Sequence, residues 1–428
     1  MIYSKLKGRG YRDILPIFTL KCFFYIISIV MNMKIGIFTD GYEPHVSGVT
    51  TSINMLKTAL ENMGHTVYIV TANLIDNKFN YDEEKRIIRK PGIKTGIYNT
   101  KLTSIYSAKA MKIIKEWDLD IIHSQTEFGI GGFSRIVANK LNLPVVHTYH
   151  TLYEDYVYYI TKGHFKNFGQ KLVEKWTKFF CETKCDQLIV PTDKIKELFT
   201  YKYQFDCEAN VIPTGIDTTK FEYNDEIKEN IEKIKKEYNL NDSHFIIGSV
   251  GRIAQEKSFD KLIEATRDLK DLDNNIRVMI VGDGPAIDEL KKLSKSLHLE
   301  EYIIFTGKVD YKLIPSYYNL FDTMTSFSKT ETQGLTIIEA LAASTPVVCV
   351  DDKSFREMVQ DKYNGYLFNS KDEFIKDVLR LKNDKKLYKT MSLNAKNSIH
   401  RYSKEVFAAD ILKIYYKAIE VKKNKAKK

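Results

Sequence analysis

The chain has 428 residues, 43% of them hydrophobic and 12% aromatic, which is enough apolar material for two ordinary domains and too much for a disordered chain. Its net charge of +10 is concentrated at the ends: residues 1–32 carry +4 and the terminal VKKNKAKK carries +5, leaving +1 on the body, so no basic stripe of the kind nucleic acid requires runs through the folded part. Cys22, Cys181, Cys185, Cys207 and Cys349 show no paired spacing of a disulfide framework, which fits a reducing cytoplasm.

Residues 1–32 form an apolar extension in which ILPIFTLKCFFYIISIV is interrupted by Lys21. A spanning helix needs roughly 20 apolar residues, and a secretory signal needs a small-residue cleavage site, which does not precede the first strand. Translation starting at Met31 or Met33, a peripheral membrane anchor, and a true span or signal all stand as readings of this segment.

From Met33, MKIGIFTDGY is a short apolar run that ends in Gly and Asp, as a buried parallel strand does. A helix-period segment, GVTTSINMLKTALENMGH, follows and stops at Gly64. TVYIVTAN, DLDIIHSQ, NLPVVHTYHT, CDQLIVPT and ANVIPTGID continue the strand series, with a helix around GGFSRIVANKL. The charged helical segment FEYNDEIKENIEKIKKEYNL then reads as a connector. A second series runs through HFIIGSVGR, IRVMIVGDGP, YIIFTGKV, FDTMTSFS and TPVVCVDD, with helices such as SFDKLIEATRDL and IDELKKLSKSL between them. Strands alternating with helices predict an α/β protein of two doubly wound, Rossmann-like domains at 33–215 and 241–400, joined by 216–240. A final helix at about 403–424, within a C-terminal segment 401–428 that includes the basic tail, is expected to pack across the junction.

Open parallel sheets bind ligands at the C-terminal ends of their strands, and two facing domains bind them in the cleft between. Arg252 and Lys257 follow IIGSV, and Gly282, Asp283, Gly284 and Pro285 follow VMIV. Glycine permits close backbone approach, and the two cations suit a diphosphate. GDGP alone is equally a tight turn, because it lacks the third glycine of a dinucleotide fingerprint. Further on, ETQGLTIIEALAASTPVV sets Glu331 and Glu339 eight residues apart. Gly334, Leu335 and Thr336 mark a helix start whose amides bind anions. Glu339 sits among Ile337, Ile338, Ala340 and Leu341, where a solvated face is hard to draw, so the two carboxylates read as acceptors for sugar and ribose hydroxyls.

GRIAQEKSFDKLI, VGDGP and ETQGLTIIEALAASTPVV together resemble the donor half of the family 4 retaining glycosyltransferases, and the match extends over about residues 33–420. The resemblance implies the GT-B fold, two Rossmann-like domains facing a cleft with a C-terminal helix crossing back, and no metal or cofactor beyond a nucleotide sugar as substrate. It implies that Arg252 and Lys257 hold the donor diphosphate, Glu339 the ribose and Glu331 the donor sugar. EPHVSGVTTSI resembles the glycine loop after the first strand, which assigns Gly48 to the donor; Ser47 stands where many members have a second glycine. VVHTYHTLYEDYVYYITKG and the ETQGLT variant are similar to bacterial diacylglycerol glucosyltransferases, and His150 matches the histidine that sits over the donor sugar. His123, His147 and His150 also raise the question of zinc, but His123 matches a strand-end histidine of the family, and no metal is expected. Gln125 replaces a histidine of other branches.

Two stretches mix lysine with aromatic residues, and each carries +3. In 94–118 they include Lys101, Lys109, Lys112, Lys115 and Trp117; in 155–180 they include Lys171, Lys175 and Trp176. With Tyr153 and Tyr156 they are assigned to an acceptor face that meets an anionic lipid surface, against the plain alternative of solvated helix faces. The expected function is transfer of a hexose, glucose by the resemblance, from a UDP-sugar to membrane diacylglycerol, by a protein peripheral on the cytoplasmic face of the plasma membrane. Polysaccharide or teichoic-type glycan synthesis is the alternative acceptor chemistry. A sugar-nucleotide epimerase, which shares the two-domain shape, and a silent binding module are the readings from other classes.

Overall fold

The computed structural model describes residues 32–45, 47–94, 101–150, 174–183, 185–206 and 208–426. These form two compact units, one made of the described residues up to His45, within Leu56–Val146 and from Ala408 on, the other of those between His45 and Leu56 and within His147–Phe407. The N-terminal extension before Asn32, with Tyr153, Tyr156 and Lys171, lies outside the described residues.

In the first unit, β1 (Lys34–Thr39), β2 (Thr66–Ala72), β3 (Asn80–Asp82), β4 (Ile87–Lys90) and β7 (Ile121–Ser124) lie in the order β7-β1-β2-β4-β3. All pairings are parallel except the edge pair β3–β4. β1 reads KIGIFT and is buried from its second residue on, as a central parallel strand must be. β5 (Gly92–Lys94) and β6 (Lys101–Thr103) make a separate antiparallel ribbon. The expected strands of this half appear as β1, β2 and β7; β3 to β6 do not announce themselves in the sequence, because three or four residues cannot establish a period.

The helix Ala108–Trp117 turns Ala110, Met111, Ile114 and Trp117 inward and leaves Lys109, Lys112 and Lys115 exposed. Trp117, expected on a lipid-facing surface, is therefore a core residue. It is 5% exposed, stacks on Tyr68 at 4.6 Å between ring centroids, and donates from Nε1 to the Tyr81 hydroxyl at 3.2 Å. The C-terminal helix, Lys404–Ala426, contributes its residues from Ala408 to this unit. There the buried Tyr415 hydroxyl lies 2.7 Å from His123 Nδ1, while Gln125 Nε2 lies 3.1 Å from His123 Nε2. His123 is thus a fully hydrogen-bonded core residue.

β8 (Val145–Thr148) carries the chain into the second unit. That unit contains the parallel pair β9 (Gln187–Val190) and β10 (Ala209–Val211). It also contains a six-stranded parallel sheet of β11 (Phe245–Val250), β12 (Ile276–Val281), β13 (Ile303–Gly307), β14 (Thr323–Ser326), β15 (Val347–Val350) and β16 (Gly365–Phe368). The strand order is β13-β12-β11-β14-β15-β16, so the winding reverses between β11 and β14. In an open α/β sheet this switch point is where loops diverge and leave room for a ligand. The segment expected as a connector lies inside this unit, and its helix Asp225–Glu237 buries Ile227, Ile231 and Ile234 in the core. No helix among the described residues is long and apolar enough to cross a membrane.

Because Trp117 fills the core beneath the first sheet, Trp117→Ala should lower stability by about 3–5 kcal/mol through lost burial and the cavity left behind. Far-UV circular dichroism against urea measures this, and an unchanged midpoint would return Trp117 to the surface.

Candidate functional site

The loops after β11 and β12 are fitted to each other backbone to backbone. Gly251 has φ +153° and donates its N–H to Val281 O at 3.0 Å; Ile253 N–H donates to Asp283 O at 3.0 Å, and Ala286 N–H to Ile253 O at 3.1 Å. A Cβ on Gly282 (φ +140°) would stand 1.9 Å from Gly251 O, and one on Gly284 would stand 2.2 Å from Ile253 O. The sequence assigns these two glycines to a donor. The structure shows that the close approach they permit is between the two loops, and this fixes where Arg252 and Lys257 emerge.

Arg252 is ion-paired to Glu256, one turn further on, with its side chain 30% exposed. Lys257 ends a short 3₁₀ turn, Gln255–Lys257, and reaches across the β11–β14 switch point: its Nζ lies 2.5 Å from Glu331 Oε1. Two residues separated by 74 positions are thereby joined. Burial alone would raise the Glu331 carboxyl, but the Lys257 ammonium, a hydrogen bond from Ser328 and the charge of Lys194 hold it below the ordinary range, so it is ionised at neutral pH.

Three residues on, Gly334 caps the helix Leu335–Ala342 with φ +85°, and a Cβ there would meet the Phe355 ring at 2.6 Å. Glycine is required on both counts. Leu335 and Thr336 are half-buried in the first turn, where amides have no partner within the helix. Gly48, the first residue of the helix Gly48–Asn62, belongs to the same unit and faces Leu335: a Cβ on it would sit 3.8 Å from Leu335 Cδ1.

Glu339 is 8% exposed and accepts from the Tyr318 hydroxyl at 2.7 Å. With only that hydrogen bond set against its burial, its carboxyl is pushed up to about 7. The two glutamates of the motif therefore differ: Glu331 is a charge held by a cation, and Glu339 is a buried group poised between its acid and its carboxylate.

The structure brings Lys257 to Glu331 and Gly48 to Leu335. His150 is half-buried just past β8, Lys175 is exposed, and Trp176 is 46% exposed beside Phe180. The sequence reading missed Glu256, Tyr318, Gln333 and Lys194. Gln333 is buried and pairs reciprocally with the Thr214 backbone, accepting from its N–H at 2.9 Å and donating to its carbonyl at 3.0 Å. Lys194 follows β9, so the strand-end rule that found Arg252 applies to it; Tyr318 lies mid-helix in IPSYYNL and carries no such signal.

Residues 230–398 match the family described as glycosyl transferases group 1, and residues 46–220 match glycosyltransferase family 4. Along most of its length the chain is similar to the alpha-monoglucosyldiacylglycerol synthase of Streptococcus pneumoniae, with 34% identity covering 90% of this chain and 86% of the relative. It is equally similar to the enzyme of that name from Acholeplasma laidlawii, with 34% identity covering 92% of this chain and all of the relative. In fold it is similar to the Anabaena protein HepE, solved in complex with UDP and glucose, at a TM-score of 0.69 and 18% identity over 90% of this chain and the whole of that one. Strand-end cations, a glycine-capped helix and two carboxylates eight residues apart, on a chain so related, have one family in common: the protein belongs to the family 4 glycosyltransferases and is a retaining, metal-independent hexosyltransferase of the GT-B fold.

Proposed function

We propose that this enzyme transfers glucose from UDP-glucose, with retention, to the hydroxyl of diacylglycerol at the cytoplasmic leaflet. In this reading residues 241–400 bind the donor and 33–215 the acceptor. The observation that carries the donor half is the Lys257–Glu331 pair at the switch point, with Arg252 on the same loop. An ammonium has three N–H donors, so Lys257 can hold Glu331 and a phosphate oxygen together. Arg252, Lys257 and the first-turn amides of Leu335–Ala342 stabilise the charge that grows on the departing diphosphate. Glu331 accepts from the sugar, Glu339 from the ribose, and His150 covers the donor sugar. With no enzymic nucleophile assigned, the incoming hydroxyl attacks on the face the diphosphate leaves.

The acceptor half is supported by the names of the two relatives and by surface chemistry. Ile93 and Leu102 are a cross-strand pair of the β5–β6 ribbon, 79% and 53% exposed. Ile105, 61% exposed, and Tyr106, 42% exposed, follow, and then come Lys109, Lys112 and Lys115. Apolar residues next to lysines suit an anionic leaflet, where each lysine near the surface contributes about 1 kcal/mol. Membership of a glycosyltransferase family removes the epimerase and binding-module readings; a teichoic-type or other glycan acceptor is the reading the experiment must separate.

The protein is offered UDP-glucose, UDP-galactose and GDP-mannose with anionic vesicles containing diacylglycerol, and the lipid products are resolved. Glucosylated diacylglycerol is expected. A soluble glycan glycosylated as fast as lipid overturns the acceptor.

Glu339→Gln should weaken UDP binding by about 10–100-fold, because a charged acceptor is worth roughly 1.5–3 kcal/mol. The carboxylate fraction of Glu339 rises with pH through about 7, so UDP affinity should increase more steeply between about pH 6 and 8 in the native enzyme than in the variant, where only the terminal phosphate of UDP, with its second ionisation at about 6, still contributes. Calorimetry across that window decides it. Replacing Lys109, Lys112 and Lys115 by Gln should reduce sedimentation with anionic vesicles and leave UDP affinity unchanged, with native binding falling as salt shortens the roughly 8–10 Å screening length. Equal sedimentation of variant and native protein would move the contact to the Lys175–Trp176 region.

A further inference from the structure

The loop that carries Glu331 is held at four sites between Lys329 and Gln333 by residues that follow β9 and β10. Lys194 Nζ donates to the backbone carbonyls of Lys329 at 2.8 Å and Glu331 at 3.2 Å, and to Asp352 Oδ1 at 2.8 Å. Thr192 Oγ1 donates to Thr332 O at 2.8 Å, and Gln333 is locked to Thr214. An ammonium has three N–H bonds and no acceptor, so Lys194 is saturated by two peptide carbonyls and one carboxylate. Its side chain is only 20% exposed, and that of Asp352 only 14%.

A half-buried lysine that spends two of its donors on main-chain oxygens defines a backbone path. Here the path is the one from which the Glu331 side chain departs. We infer that Lys194 is a positioning residue for Glu331: it clamps the Glu331 peptide from the carbonyl side while Lys257 holds the carboxylate. Lys194 touches neither sugar nor phosphate in this account. It acts by fixing the origin of the side chain that accepts from the donor sugar, and its charge favours the ionised form of that side chain. The inference rests on the proposed role of Glu331. Nucleotide binding is assigned to Arg252, Lys257, Glu339 and the first-turn amides of Leu335–Ala342, none of which Lys194 contacts.

The test compares Lys194→Met, Lys194→Arg, Asp352→Asn and Glu331→Gln for kcat with UDP-glucose and for affinity for UDP alone. Lys194→Met is expected to lower kcat by about 10–100-fold, the range for losing hydrogen bonds from a charged group, with UDP affinity within twofold of native. Lys194→Arg, which keeps the charge and several donors, should recover part of the rate. Asp352→Asn, which leaves the two carbonyl contacts in place, should show a smaller loss of kcat at unchanged UDP affinity, and it carries the test if Lys194→Met does not fold. A native kcat in Lys194→Met, or UDP affinity falling in step with kcat, overturns the inference. If Glu331→Gln keeps the native rate, the role of Glu331 itself fails; if it loses the rate while Lys194→Met and Asp352→Asn do not, only the positioning role fails.

Discussion

The ion pair between Lys257 and Glu331 is the constraint around which the site is arranged. A carboxylate taken out of water is costly unless a cation and hydrogen bonds replace its hydration. Lys257 meets that condition from a loop 74 residues away, and the two loops leave neighbouring strands at the one place in the sheet where the winding reverses. The remaining features follow from keeping the pair in register. Gly251, Gly282 and Gly284 let the first loop seat on its neighbour, so that Lys257 has a fixed origin. Thr192, Lys194 and Gln333 give Glu331 an equally fixed one. A pair set between two rigid supports keeps its geometry when a ligand arrives, which is the requirement for electrostatic stabilisation without reorganisation.

The two glutamates show how one motif supplies two chemical states. Both are largely removed from water. Glu331 has an ammonium at 2.5 Å and stays charged; Glu339 has one phenol at 2.7 Å and titrates near 7. A phenol donates to a carboxylate but brings no positive charge, so it offsets only part of the desolvation. The helix that separates them sets this difference. Gly334 ends the half-buried loop, and within seven residues the chain is surrounded by Ile337, Ile338, Ala340 and Leu341, all buried.

Much of this was legible in the sequence because strand-end residues are punctuated. Arg252, Lys257, Glu331 and Glu339 stand out where an apolar run stops or where a charge interrupts one, and the family motif covers them. What the sequence did not display is which partner each side chain takes. Trp117 lies among lysines, and only the helical phase, one turn after Ile114, turns it inward onto Tyr68. Gly282 and Gly284 read as room for a ligand, yet the room is taken by the adjacent loop. The 216–240 segment is charged enough to pass for a linker, although three isoleucines at i, i+4 and i+7 bury one face of it. In each case composition gave the residue type correctly and the tertiary neighbour decided its role.

The cations of the site are also supplied with counter-ions: Lys257 has Glu331 and Arg252 has Glu256. Binding of a diphosphate in the proposed mode then adds a partner to cations that already have one and does not fill a bare positive site. Two unit charges 4 Å apart interact by about 4 kcal/mol at an effective dielectric constant of 20, so each retained carboxylate near the diphosphate offsets much of what its cation contributes. Net nucleotide affinity is the difference between these terms. What grows during reaction is the charge on the departing diphosphate, and that increment meets cations whose carboxylate partners are already in place. The carboxylates weaken the field of the cations on the departing diphosphate as well as on the bound one, so what raises rate and not only affinity is the part of the stabilisation that the cations and the first-turn amides make with the charge that develops in the transition state.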